Sequence, residues 1–294
     1  MEPHLSARLR LLAAAALFST GPAAIKACGL TGWQVAGFRS GMAALALFLL
    51  LPGSRRIGSP RLWLVGACYA VTLVCYALAS KLTTAANAIF LQSTAPIYLL
   101  LLSPLLLRER VGRRDLLFLL AVLCGMALLA LGEDDPTAVA VDPARGNLLS
   151  LLSGVFWALT LLGLRWLERG RDGGEGLGAP AVAVGSTLAF LACLPLALPL
   201  GETRAVDWAW IAYLGVIQIG LAYALLTRAM GHVPAIEAAL LLMLEPVLTP
   251  LWSWAAHDER PSGWALAGGA VILGATAART LVDRSARNAP PAPA

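Results

Sequence analysis

The chain has 294 residues; 59% are hydrophobic, only 13% are charged, and the mean hydropathy is +0.74. Soluble domains carry roughly 45–50% apolar and about 25% charged residues, so a disordered chain, a nucleic-acid-binding domain and an ordinary soluble enzyme are excluded. The net charge of +5 then reads as Lys and Arg gathered in cytoplasmic loops of a polytopic membrane protein, with the lipid bilayer and no nucleic acid as partner.

A hydrocarbon core about 30 Å thick needs roughly 20 mostly apolar residues per helix. In chain order the candidate windows are Leu11 to Ile25, Trp33 to Ser54, Leu62 to Ser80, Leu82 to Leu107 and Leu116 to Gly132. Then follow Gly146 to Leu164, Pro180 to Leu200, Trp208 to Thr227, Ala238 to Ala256 (interrupted by Glu245) and Pro261 to Ala278. These windows are too long for barrel strands and lack period-two alternation. The expected fold class is all-α: ten transmembrane helices with short loops.

With the N-terminus in the cytoplasm, 16 of the 22 basic residues fall in inside segments, five (Lys26, Lys81, Arg145, Arg204 and Arg260) fall outside, and Arg39 lies within a span. That bias predicts both termini inside and an even number of spans. Arg8 and Arg10 ahead of an apolar run resemble the start of a signal peptide, but Pro22 and Lys26 follow directly and the charge count needs the span retained. Five cysteines (Cys28, Cys68, Cys75, Cys124 and Cys193) form no CxxC pair and read as small packing residues. Residues 282–294 are expected to be a disordered cytoplasmic tail.

An internal repeat is visible at an offset of 150. Ala85, Ala88 and Leu91 fall on Ala235, Ala238 and Leu241; Pro96 and Ser103 fall on Pro246 and Ser253; Glu109-Arg110 falls on Glu259-Arg260. Upstream, Tyr76-Ala77-Leu78 resembles Tyr223-Ala224-Leu225 at a different spacing. The expected halves are 1–140 and 141–281, five spans each. An odd number of spans makes the second copy enter the membrane upside down, a recurring design of secondary transporters with the substrate site near the midplane.

The run from Phe18 to Leu51, with Pro22, Ala24-Ile25-Lys26, Arg39 and Ala43-Ala44, resembles the first unit of the EamA family of the drug/metabolite transporter superfamily. Ala85 through Pro96 to Glu109-Arg110 and Gly125 is similar to the end of that unit. Glu245-Pro246 to Glu259-Arg260 and Gly274 is similar to the same end in the second unit. Ser19-Thr20-Gly21 stands where the family usually has Trp-Gly. The resemblance spans about residues 10–280. It implies a ten-helix carrier of small organic metabolites in the bacterial inner membrane, often an exporter of amino acids or related compounds.

Charges inside a bilayer are costly and must face protein or a water-filled cavity. Arg39 and Glu245 sit mid-window. A planar guanidinium suits a substrate carboxylate, and Glu245 suits a proton or a substrate cation. Equally, Arg39 can snorkel or pair between helices, Glu245 can bond backbone freed by Pro246, and the two can pair with each other. Pro96 and Pro104 are expected to interrupt the fourth span, and Pro246 and Pro250 the ninth, giving paired kinked helices along the pathway. Asn87, Gln92, Gln218, Trp157, Tyr76, Tyr98 and Tyr223 complete the candidate cavity lining, suited to a small zwitterion or aromatic solute. The remaining tryptophans considered, Trp33, Trp63, Trp208, Trp210, Trp252, Trp254 and Trp264, read as an interfacial belt. Gly37 and Gly41 form a GxxxG that serves either a homodimer or packing within the chain.

The function expected is a secondary transporter working by alternating access, with protons as the candidate coupling ion and no cofactor. A membrane-embedded enzyme or a channel is the alternative. No HExxH pair, no G-x-S-x-G elbow and no P-loop is present, and His4, His232 and His257 have no plausible metal partner, so neither catalysis, a metal nor direct ATP hydrolysis is expected.

Overall fold

The computed structural model describes residues 3–83, 85–108, 112–131, 141–168, 176–257 and 263–288, and it is helical throughout, with no strand among them. The first half contains α1 (Pro3–Ser19), α2 (Gly21–Ala27), α3 (Gly32–Leu50), α4 (Pro60–Leu82), α5 (Ala85–Gln92), α6 (Ala95–Leu106) and α7 (Arg113–Leu131). The second contains α8 (Pro143–Glu168), α9 (Gly178–Ala197), α10 (Ala205–Ala212), a π-helical segment (Tyr213–Leu221), α11 (Ala222–Met230), α12 (Ala235–Leu242), α13 (Leu244–His257) and α14 (Gly263–Asn288). Among the described residues, five stretches are long and apolar enough to cross a membrane: Pro60–Leu82, Asn87–Leu106, Pro143–Glu168, Gly178–Ala197 and Ala205–Met230.

Several windows that read as single helices are broken. The fourth breaks at Ser93-Thr94 and the ninth at Met243, which places Pro96 and Pro246 in the first turn of the following helix, where a missing N–H costs least. Pro104 and Pro250 were expected to interrupt their spans as well; instead α6 and α13 run through them. A proline with helix on both sides removes one hydrogen bond without ending the helix when neighbours compensate. The first window also breaks, at Thr20 before Gly21-Pro22. At the far end α14 continues through residues 282–288, where a disordered tail is expected; nothing between Gly274 and Pro290 breaks a helix. The Glu109-Arg110 and Glu259-Arg260 pairs lie outside the described residues, as does the acidic run at 133–135.

Packing is closest between α4 and α8, α3 and α9, α7 and α14, and α4 and α9. The helix α1 packs on α11, α12 and α13; α8 packs on α5 and α6; and α3 packs on the π-helical segment. Small residues permit these approaches. A Cβ at Gly185 of α9 would meet the Gly66 carbonyl of α4 at 2.5 Å. The GxxxG of α3 seats against α9 within the same chain, Gly37 on Cys193 and Gly41 on Phe190. All five cysteines are free. Leu101, Leu105, Leu106, Leu117 and Leu266 point outward, 60% or more exposed, as a surface solvated by lipid allows.

Candidate functional site

Where the broken helices converge, a cavity of about 40 Å³ is lined by Phe18, Arg39, Thr72, Leu73, Tyr76, Gln92, Trp157, Gln218, Ile219, Tyr223 and Glu245. Both halves contribute. The volume exceeds the roughly 10–15 Å³ that a water needs but cannot admit a metabolite without helix movement.

Backbone chemistry accounts for much of this lining. Pro22 lacks the N–H that would bond the Phe18 carbonyl; the Gln218 side chain donates to that carbonyl instead, at 3.4 Å. The neighbouring Ser19 carbonyl accepts from Thr249 at 3.3 Å, and Trp252 donates to the Ser19 hydroxyl at 2.8 Å. Pro96 similarly frees the Gln92 carbonyl, which lies against Gly154 of α8, where a Cβ would come within 2.9 Å of it. The Gln92 amide donates to Ser153 at 2.7 Å, and Ser153 donates to the Thr72 carbonyl at 3.2 Å. Gln218 itself stands on the π-helical segment, a geometry frequent at functional sites.

Charge is held differently. Arg39 is 1% exposed, and its Nη2 donates to the Leu73 carbonyl at 2.9 Å, while its Nε is buried without a hydrogen-bond partner. The Gln218 Oε1 is likewise buried and unpartnered. Glu245 occupies the first turn of α13, where the helix dipole favours a negative charge. Among the described residues neither Arg39 nor Glu245 forms an ion pair, with each other or with anything else. A cation and a carboxylate thus face one small cavity with hydrogen-bonding capacity to spare.

The aromatic walls form one group. Tyr223 lies 5.0 Å from Phe18, 5.9 Å from Trp157 and 4.5 Å from Tyr69, measured between ring centroids. Phe18 and Trp157 meet edge-on at 6.3 Å.

Of the candidate residues, Arg39, Glu245, Gln92, Trp157, Gln218, Tyr223 and Tyr76 come together at the cavity. Tyr98 does not: it is half-buried and packs against the apolar core. Asn87 does not either, because it stands in the first turn of α5, at the end of the bundle rather than its middle. Phe18, Thr72, Leu73 and Ile219 were not singled out in the sequence. A signal for Phe18 exists: at an offset of 139 it aligns with Trp157. Of the belt tryptophans, Trp63, Trp208, Trp252 and Trp264 are exposed, whereas Trp33 and Trp210 are half-buried and Trp254 is outside the described side chains.

A second cavity, about 320 Å³, opens at one end between the ends of α3, α8 and α11 and the start of α9, with Glu168 and Arg228 in its wall. Among the described residues, no buried unpartnered side-chain atom lines it. Among the described residues no cluster of His, Cys, Asp and Glu is placed to hold a metal.

The family model of the EamA-like transporter family matches residues 5–131 and 144–279. The pseudopaline exporter CntI of Pseudomonas aeruginosa is 29% identical over 246 residues, covering 82% of this chain and 83% of its own. An uncharacterized protein of the same species is 35% identical across 78% of this chain and 77% of its own. A solved crystal structure, 22% identical, covers 96% of this chain and 99% of its own with a TM-score of 0.77, which shows the fold. Together with the apolar membrane-length helices, these likenesses identify a helical protein that crosses the membrane several times.

Proposed function

Because the chain belongs to the EamA-like transporter family, we propose that it is a secondary transporter that exports small organic metabolites, amino acids or related compounds, across a bacterial inner membrane. It has ten spans, both termini in the cytoplasm, and two inverted five-helix copies, 1–140 and 141–281. The helix pairings support this reading, since exchanging the copies maps the pattern onto itself: α4–α8 answers to α11–α1, α4–α9 to the π-helical segment with α3, and α3–α9 and α7–α14 each to themselves. The likeness to an exporter supports the direction of transport.

The observation that carries the proposal is the cavity between the copies, lined by a buried Arg39 and a half-buried Glu245 that are not joined in an ion pair. Its mechanism follows from those groups. The Arg39 guanidinium, with Nε uncommitted, binds a substrate carboxylate. Glu245 holds the substrate ammonium or exchanges a proton for it. Phe18, Trp157 and Tyr223 present flat apolar faces and a cation-attracting quadrupole. The copies rock about the site, opening it to one side at a time.

Flux in proteoliposomes tests this. Saturable, substrate-specific counterflow without ATP is expected from a panel of amino acids and related zwitterions. Side-specific labelling of single cysteines at Asp134 and Glu259 is expected to place both outside; labelling of both from the inside overturns the topology.

A further inference from the structure

Away from the cavity, one end of the bundle is closed by a buried ion pair. Arg8 of α1 donates through Nε to Glu237 Oε1 at 2.7 Å, and Nη2 reaches the same oxygen. The two side chains are 8% and 12% exposed. Glu237 stands in the first turn of α12, so the pair ties the start of the first span to the start of the ninth.

The internal repeat identifies the counterpart at the opposite end. The offset of 139 that relates Phe18 to Trp157 carries Arg8 to Asn147. The offset of 150 that relates Pro96 to Pro246 carries Glu237 to Asn87. At these positions one end has a cation and an anion, and the other has two amides. Asn147 is engaged there by a neutral bond: the Thr83 hydroxyl donates to its Oδ1 at 2.9 Å. Thr83 lies two positions before the helix that carries Asn87, so this contact too joins the starts of two spans, the fourth and the sixth.

We infer that Arg8–Glu237 is a latch on the inner end of the carrier, an ion pair where the repeat-related contact at the outer end, Thr83–Asn147, is neutral. The words inner and outer rest on the inverted-repeat reading; the difference between the two contacts does not. Hydrogen bonds between ionised partners are roughly twice as strong as neutral ones. Removing one partner leaves an unneutralised charge in the closed end, which only opening to water can hydrate. A gate of this kind has a signature that ordinary packing lacks: each single substitution loosens the end more than the double one does.

Hydrogen–deuterium exchange on the full-length protein in lipid nanodiscs reads both ends at once. In Arg8→Gln and in Glu237→Gln, residues 3–12 and 235–242 are expected to exchange at least about a hundredfold faster, with residues 85–92 and 143–150 unchanged. In Arg8→Gln with Glu237→Gln, most of that gain is expected to disappear. Asn87→Glu with Asn147→Arg builds a pair at the other end; it is expected to slow exchange there and keeps the test open if a single variant fails to fold. Equal loosening of both ends, a double variant as loose as either single one, or a built pair without added protection overturns the latch. Counterflow measured on the same samples separates this from transport itself: loss of the latch signature with flux intact defeats the latch alone, and absence of flux in the wild-type protein defeats the transport reading alone.

Discussion

Arg8 and Arg39 are both buried arginines on neighbouring spans, and the chain treats them in opposite ways. Arg8 is neutralised by Glu237 and closes one end of the bundle. Arg39 meets only a carbonyl, retains an unpartnered Nε and faces a cavity that also contains an unpaired Glu245. A buried charge without a counter-ion is a standing cost, and such groups persist where function uses them. The contrast separates a residue that maintains the structure from one kept available for a ligand.

Four measurements test that contrast. Arg8→Gln is expected to lower stability most, by about 3–5 kcal/mol, since it strands the Glu237 carboxylate; a thermal melt in detergent checks this. Arg39→Gln is expected to cut counterflow about 100-fold, equivalent to ~2.7 kcal/mol of lost binding, while the melting temperature stays level or rises. A melt as depressed as that of Arg8→Gln would show that Arg39 is structural. Glu245→Gln is expected to reduce flux about tenfold, within the range for a hydrogen bond to a charged group, and to flatten its dependence on pH. An unchanged pH profile removes Glu245 from coupling. The smallest effect is expected at the aromatic wall: Phe18→Ala raises the KM about threefold to tenfold, consistent with ~0.5–1.5 kcal/mol per aromatic pair, and Phe18→Trp restores it.

Much of the fold was legible in the sequence because lipid imposes a length and polarity rule that few chains satisfy by accident. Pro96 and Pro246 marked two helix breaks because a proline cannot donate to its preceding turn. The break at Thr20 was harder to read, although Gly21-Pro22 carries the same signal, and no pattern announced the π-helical turn around Gln218. Seven of the nine polar and aromatic candidates met at the cavity because polar groups within a span must turn from lipid toward protein. Tyr98 and Asn87 also turn toward protein but lie away from the cavity: one packs its ring into the core, and the other sits near a helix end. Residue type and span position do not encode the direction in which a side chain leaves its helix.

By itself the sequence determined that this chain is apolar, helical and built from two related halves, because hydrophobic run length, proline position and repeat offset are local properties of the chain. Tertiary structure alone decided the pairing of its charges. Arg39 and Glu245 are 206 positions apart, and Arg8 and Glu237 are 229 apart. Which acid neutralises which base, and which two are left facing an empty space, depends on distances of a few ångströms between helices, and those exist only once the helices have packed.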